Sequence, residues 1–132
     1  MRHWAAEQWE IQLDQLMHEL DDYFERKYSG RYSLHPARPA KGTTANPSQD
    51  GLFSITAFFT LGLGSEFGKG YVVDIKLRTL EPVPETIREE IENEALRFLR
   101  RKIGQAFPGR KLSVTRDGTV IKIFGDLSLG MA

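Results

Sequence analysis

The feature that most constrains this chain is a change of period along its length. Apolar residues recur every three to four positions, then every two, then again every three to four, then every two. A period near 3.6 gives one buried stripe on a helix, and a period of two gives one buried face on a strand. The order helix, hairpin, helix, hairpin predicts an α+β fold, with two helices packed on one face of a four-stranded, mostly antiparallel sheet, connected α-β-β-α-β-β.

The first helical stretch covers residues 5–28. Trp9, Leu13, Leu16, Met17, Leu20, Tyr23, Phe24 and Tyr28 form its stripe, and Glu10, Asp14, Asp21, Asp22 and Glu25 lie largely off it. Arg26 and Lys27 occupy the last turn, where cations suit the helix dipole, and Gly30 is a stop signal. The stretch is longer than an average helix of about 11–12 residues, so part of it is a candidate for packing outside the monomer core. Trp4 stands five residues before Trp9 and is a candidate contact residue.

Residues 29–51 read as a flexible linker. They hold Pro36, Pro39 and Pro47 among Gly, Thr, Asn and Ser, and have almost nothing to bury. A binding loop ordered by a partner is the competing reading.

Residues 52–80 read as a hairpin. Phe53, Ile55, Ala57, Phe59 and Leu61 alternate with more polar positions, as do Tyr71, Val73, Ile75 and Leu77. A second helix is predicted over 84–107, opening at Pro84 and stopping before Pro108 and Gly109. Its glutamates come first and its arginines last, which the macrodipole favours. Residues 111–127 read as a second hairpin turning at Asp117-Gly118, a type I′ signal. That register sets Val114 opposite Ile121, Leu112 opposite Ile123, Thr115 opposite Val120 and Ser113 opposite Lys122. The two helix–hairpin halves could form a structural pseudo-repeat, although no repeat is evident in residue identity.

At 132 residues the chain fits one domain. It has no cysteine, which excludes disulfides, thiolate metal sites and cysteine nucleophiles, and fits a reducing compartment. Its 18 basic and 18 acidic side chains balance, so overall charge points to neither nucleic acid nor membrane. Acids near the N-terminus argue against a secretion signal, and the uncharged run Gly51 to Ser65 is too short to span a bilayer. The default expectation is a cytoplasmic protein without membrane contact.

Charge is nevertheless uneven. From Ala95 to Lys122 eight basic side chains face Asp117 alone. Arg97, Arg100, Arg101, Lys102, Arg110 and Lys111 are therefore a candidate anion or nucleic-acid surface, since such clusters neutralise phosphates. The plainer reading, a dipole-matched helix end with arginines paired to the preceding glutamates, is preferred. The sheet face away from the helices carries Phe58, Asp74, Lys76, Arg78, Thr115, Val120, Lys122 and Phe124 in this register. Aromatics among basic residues can stack single-stranded bases. Phe58, Val72, Val120 and Phe124 are more apolar than a solvated face needs, which favours burial by a partner. With Trp4 they form the candidate partner surface.

Weaker signals are set aside. Gly62, Gly64, Gly68 and Gly70 lead into a strand rather than a helix, so they are not a phosphate loop. Glu66, Phe67 and Lys69 at that loop's tip could touch a partner. His3, His18 and His35 lack metal-ligand spacing, and Asp74, Lys76 and Arg78 look like ordinary strand charges. No cofactor or catalytic residue is expected. The expected function is a small non-enzymatic protein-interaction module, homodimeric, binding a protein through helix 1 or the open sheet face. The alternatives are nucleic-acid binding through the basic cluster, then a small-ligand binder or enzyme.

Overall fold

The computed structural model describes residues 4–62, 67–118 and 120–125, with residues 4–7 described as helical backbone alone. The first helix, α1 (Trp4–Tyr28), buries the predicted stripe from Trp9 to Tyr28, with Tyr23 partly exposed. Trp9 packs on Phe107 with ring centroids 4.1 Å apart, and Phe24 stacks on Phe53 at 5.2 Å.

The sheet is built from β1 (Phe53–Thr60), β2 (Gly70–Leu77), β3 (Leu112–Asp117) and β4 (Val120–Gly125), in the order β1-β2-β4-β3. Every pairing is antiparallel. Phe53, Ile55, Val73, Val114, Ile121 and Ile123 point to one face and are buried there with the stripes of both helices. The second helix, α2 (Glu85–Ala106), contributes Ile91, Ala95, Leu96, Phe98, Leu99 and Ile103. Pro84 is its N-cap rather than its first turn, and Phe107 caps its C-terminus through an N–H bond to the Ile103 carbonyl. The expected α+β architecture, two helices on one face of a four-stranded sheet, is what the chain adopts.

The second hairpin departs from the expected register. Val114 lies opposite Ile123, Thr115 opposite Lys122, Ser113 opposite Phe124 and Leu112 opposite Gly125. The strands close on the pair Asp117 and Val120, so the connection does not lie between Arg116 and Thr119. Gly118 takes φ +65°, which lets it begin the reversal, and Asp117 joins the ladder instead of the loop. The slip amounts to two residues. A two-residue slip leaves the faces unchanged, so Leu112, Val114, Ile121 and Ile123 still share one side. Residues 126 and 127, expected to end this hairpin, lie outside the described residues.

Apart from Tyr32, which packs against the core, residues 29–51 contribute little apolar burial, in line with their composition, but they are hydrogen-bonded to the rest of the fold. The segment includes a single 3-10 turn (Pro47–Gln49) with Asn46 capping it. Polar side chains supply most of the bonds that tie it to the neighbouring elements.

Candidate functional site

The arrangement with the clearest capacity to engage another molecule is the outer edge of β1. The Arg78 N–H donates to the Leu52 carbonyl at 2.7 Å. With the one-to-one register that follows, Ser54, Thr56, Phe58 and Thr60 direct their backbone groups at β2. Phe53, Ile55, Ala57 and Phe59 therefore direct theirs outward. The Phe53 carbonyl accepts from Arg38. Further along, the same edge carries three exposed apolar side chains: Phe58 at 53%, Phe59 at 50% and Leu61 at 66%. Phe58 stands on the open face. Phe59 stands on the helix face, its ring edge-on to Tyr71 at 5.6 Å. A shallow cleft of about 170 Å³ runs beside them, lined partly by Glu10 and Asp14 of α1.

The rest of the open face is not uniformly free. Phe67, from the loop joining β1 and β2, packs on Phe124 at 5.1 Å. Val72, Val120 and Phe124 are half-buried. Lys122, expected on a solvated face, is 1% exposed; its Nζ donates to the Gly68 carbonyl and lies 3.5 Å from an Asp117 carboxylate oxygen. That loop comes close because Gly62, at φ +75°, approaches the Gly68 carbonyl so tightly that a Cβ would sit 1.8 Å from it. Of the candidate partner residues, Phe58 alone is strongly exposed, and the side chain of Trp4 lies outside the described residues. Asp74 and Lys76 pair at 3.6 Å on the same strand.

The basic cluster is not one surface. Arg97 is paired with Glu94 at 2.6 Å, as the plainer reading expected. Arg100 donates through Nε to the Val114 carbonyl and is drawn towards β3. Arg101 and Lys102 both lie near the Phe98 ring, and Lys102 lines the groove between α1 and α2. Arg110 covers the Trp9 ring at 5.2 Å, and Lys111 is exposed. Among the described residues Arg101, Arg110 and Lys111 have no acidic partner. Their charges point in different directions around the end of α2, which weakens a continuous track for a phosphate backbone.

Sequence reasoning missed the charged groups that hold residues 31–52. Arg38 donates to the carbonyls of Ser48, Asp50, Gly51 and Phe53 at 2.6–3.2 Å. The Asp50 carboxylate, 1% exposed, accepts from the Gly42 N–H and from both the N–H and the hydroxyl of Thr44. Those bonds hold its pKa below the ordinary value although burial pushes the other way. Both Glu25 oxygens accept from the Leu52 N–H. Asn46 before Pro47 hinted at a capped turn; nothing in the order of residues marked Arg38 or Asp50 as buried bonding partners.

His18 is half-buried on α1, and His3 lies outside the described residues. His35 accepts the Ala37 N–H on Nδ1 at 3.0 Å. Among the described residues no group of three or more His, Asp or Glu could hold a metal ion, and no helix is long and apolar enough to cross a membrane.

Residues 4–125 match a protein family described as "Uncharacterised protein", a span that runs from the first residue of α1 to the last of β4. The chain belongs to that family. It is also similar to a protein of Borreliella burgdorferi described as "Uncharacterized protein", 37% identical over 107 residues, covering 81% of this chain and 84% of that protein. No solved structure matches the chain. The family unit therefore coincides with the two-layer domain described above, exposed β1 edge included.

Proposed function

We propose that this chain is a non-enzymatic protein-interaction module that pairs with a second copy of itself through the outer edge of β1. The observation that carries this reading is the outward direction of the Ile55, Ala57 and Phe59 backbone groups beside exposed Phe58, Phe59 and Leu61. An unpaired strand edge is a template for another strand. A two-fold axis at Ala57 places Ile55 opposite the second copy's Phe59, in antiparallel register. It also lays each Phe58 across the junction beside Thr56. The partner surface then lies on the β1 side of the open face, not around Val72, Val120 and Phe124. Helix 1 supports docking less well, because its apolar stripe is consumed inside the monomer. The absence of cysteine suits a cytoplasmic setting.

Size exclusion with light scattering tests this. The expected result is a dimer that becomes monomeric in Ala57→Pro and in Phe58→Glu. Proline at 57 removes an outward N–H and no bond of the β1–β2 ladder, so the fold should survive it. A monomeric wild-type protein, or a dimer indifferent to both changes, overturns the reading. The second reading is nucleic-acid binding at Arg101, Arg110 and Lys111, favoured by their lack of acidic partners among the described residues. Co-purifying 260 nm absorbance removed by a high-salt wash would bring it forward.

A further inference from the structure

The geometry points to a second site, independent of the β1 edge: a pocket that binds a phosphate oxyanion between Arg38, Arg78 and His35. A cavity of about 200 Å³, open to solvent, is lined by His35, Ala37, Arg38 and Arg78. Its walls are fixed by the main chain. The His35 N–H donates to the Arg78 carbonyl, the Arg78 N–H to the Leu52 carbonyl, and the Arg38 N–H to the His35 carbonyl. The frame of the pocket therefore stands in advance of any ligand.

The pocket is lined by two arginines and a histidine, and no acidic side chain is among its lining residues. Both arginines line the same cavity; burial first, and then the charge of Arg78, push the Arg38 pKa down, against a smaller opposing pull from Asp50, Asp21 and Glu25. The Arg78 Nε is buried and has no hydrogen-bond partner among the described residues. Nearby acids are committed elsewhere: Asp50 to Gly42 and Thr44, Glu25 to Leu52, Asp21 to Lys41. Neither arginine forms an ion pair among the described residues. Because His35 Nδ1 accepts from Ala37, neutral His35 carries its proton on Nε2 and is a further donor. Two arginines that repel each other, with donors left over, are relieved by one tetrahedral oxyanion that accepts from both. Arg38 already spends Nε and one terminal nitrogen on four carbonyls, which positions its fork. Arg78, whose Nε is unspent among the described residues, is the group with a donor to give.

The phosphate can be free or carried as a monoester, and the test separates these sources. Melting temperature and 31P NMR are followed while potassium phosphate or phenyl phosphate is titrated at pH 7.5 against potassium chloride of equal ionic strength. Saturable binding of either is expected, with Arg78→Gln weakening it by roughly tenfold or more, the scale of one lost charged hydrogen bond. Arg97→Gln, on the far cluster, should bind as wild type. Binding of the ester alone identifies an organic phosphate as the ligand. If Arg78→Gln does not fold, Ala37→Glu serves instead: it brings a tethered carboxylate to the pocket wall and should abolish the response. No response beyond chloride, or an undiminished response in the pocket variants, overturns the proposal. A monomeric wild type would bear on the β1 edge alone and leave this site untouched.

Discussion

Tyr23 on α1 donates its hydroxyl to the Glu94 carboxylate on α2 at 2.9 Å, joining positions 71 residues apart. Lys27 reaches the same carboxylate at 3.1 Å and Arg97 at 2.6 Å. Glu94 is thus the polar bolt between the two helices. The Arg97 hydrogen bond, then those of Tyr23 and Lys27, hold its pKa down to about 2.

A carboxyl whose folded pKa lies below its ordinary value stabilises fully above that value and loses the contribution as pH falls through the folded one. Here the window runs from 4.5 down to about 2. Glu94→Gln should cost about 1–2 kcal/mol at neutral pH, the scale of a charge-assisted hydrogen bond. In urea titrations the gap between variant and wild type should close as pH drops from 4.5 towards 2.

Asp21 has the opposite sign. It is 1% exposed, and burial, only partly offset by the Lys41 ammonium at 2.9 Å, raises its pKa to about 6. A raised carboxyl contributes stability below its unfolded value and loses it as pH rises through the folded one, so this contribution fades between 3.8 and about 6. Lys41→Met should therefore cost about 2 kcal/mol at pH 7.5, less than the ~3–5 of a fully buried pair because Lys41 is 30% exposed. Below pH 4 the loss should shrink. Denaturant midpoints at the two pH values check it.

Arg38 should govern the order of the 31–52 segment. Arg38→Met leaves the carbonyls of Ser48, Asp50, Gly51 and Phe53 without their donor. Hydrogen exchange should accelerate at Gly42, Thr44 and Gly51, whose N–H groups are bonded inside this network, while α2 amides keep their protection. Equal exchange in wild type and variant would mean that Arg38 does not govern the order of the segment.

The helices and strands were legible because each has a period that only one kind of element can bury. The stripe from Trp9 to Tyr28 and the alternation from Phe53 to Phe59 allow no other reading. The sharing of faces in the second hairpin was equally legible, since a slip of two preserves it. The register itself was not, because Asp117-Gly118 and Gly118-Thr119 both offer a glycine to the turn and the choice rests on which side Asp117 joins.

The candidate site was legible in part. Phe58 stood out as an apolar residue on a face that did not need it. That β1 is an outer strand, with β2 paired to β4 on its other side, is a long-range fact no local pattern contains. The basic cluster dissolved for a related reason. Adjacent arginines on a helix leave it at different angles, so Arg100 goes to β3, Lys102 to α1, and Arg110, beyond the helix, to Trp9.

By itself, then, the order of residues determined the element types, the buried faces and the α+β class, all of which follow from periodicity and hydrophobic burial within a few turns of chain. The tertiary structure alone decided which strand became the edge, that Lys122 would be roofed over, and that Arg38 and Arg78 would meet across a cavity. Those depend on where distant segments come to rest, and a polar group reveals its partner only once the chain has brought the two within hydrogen-bonding reach.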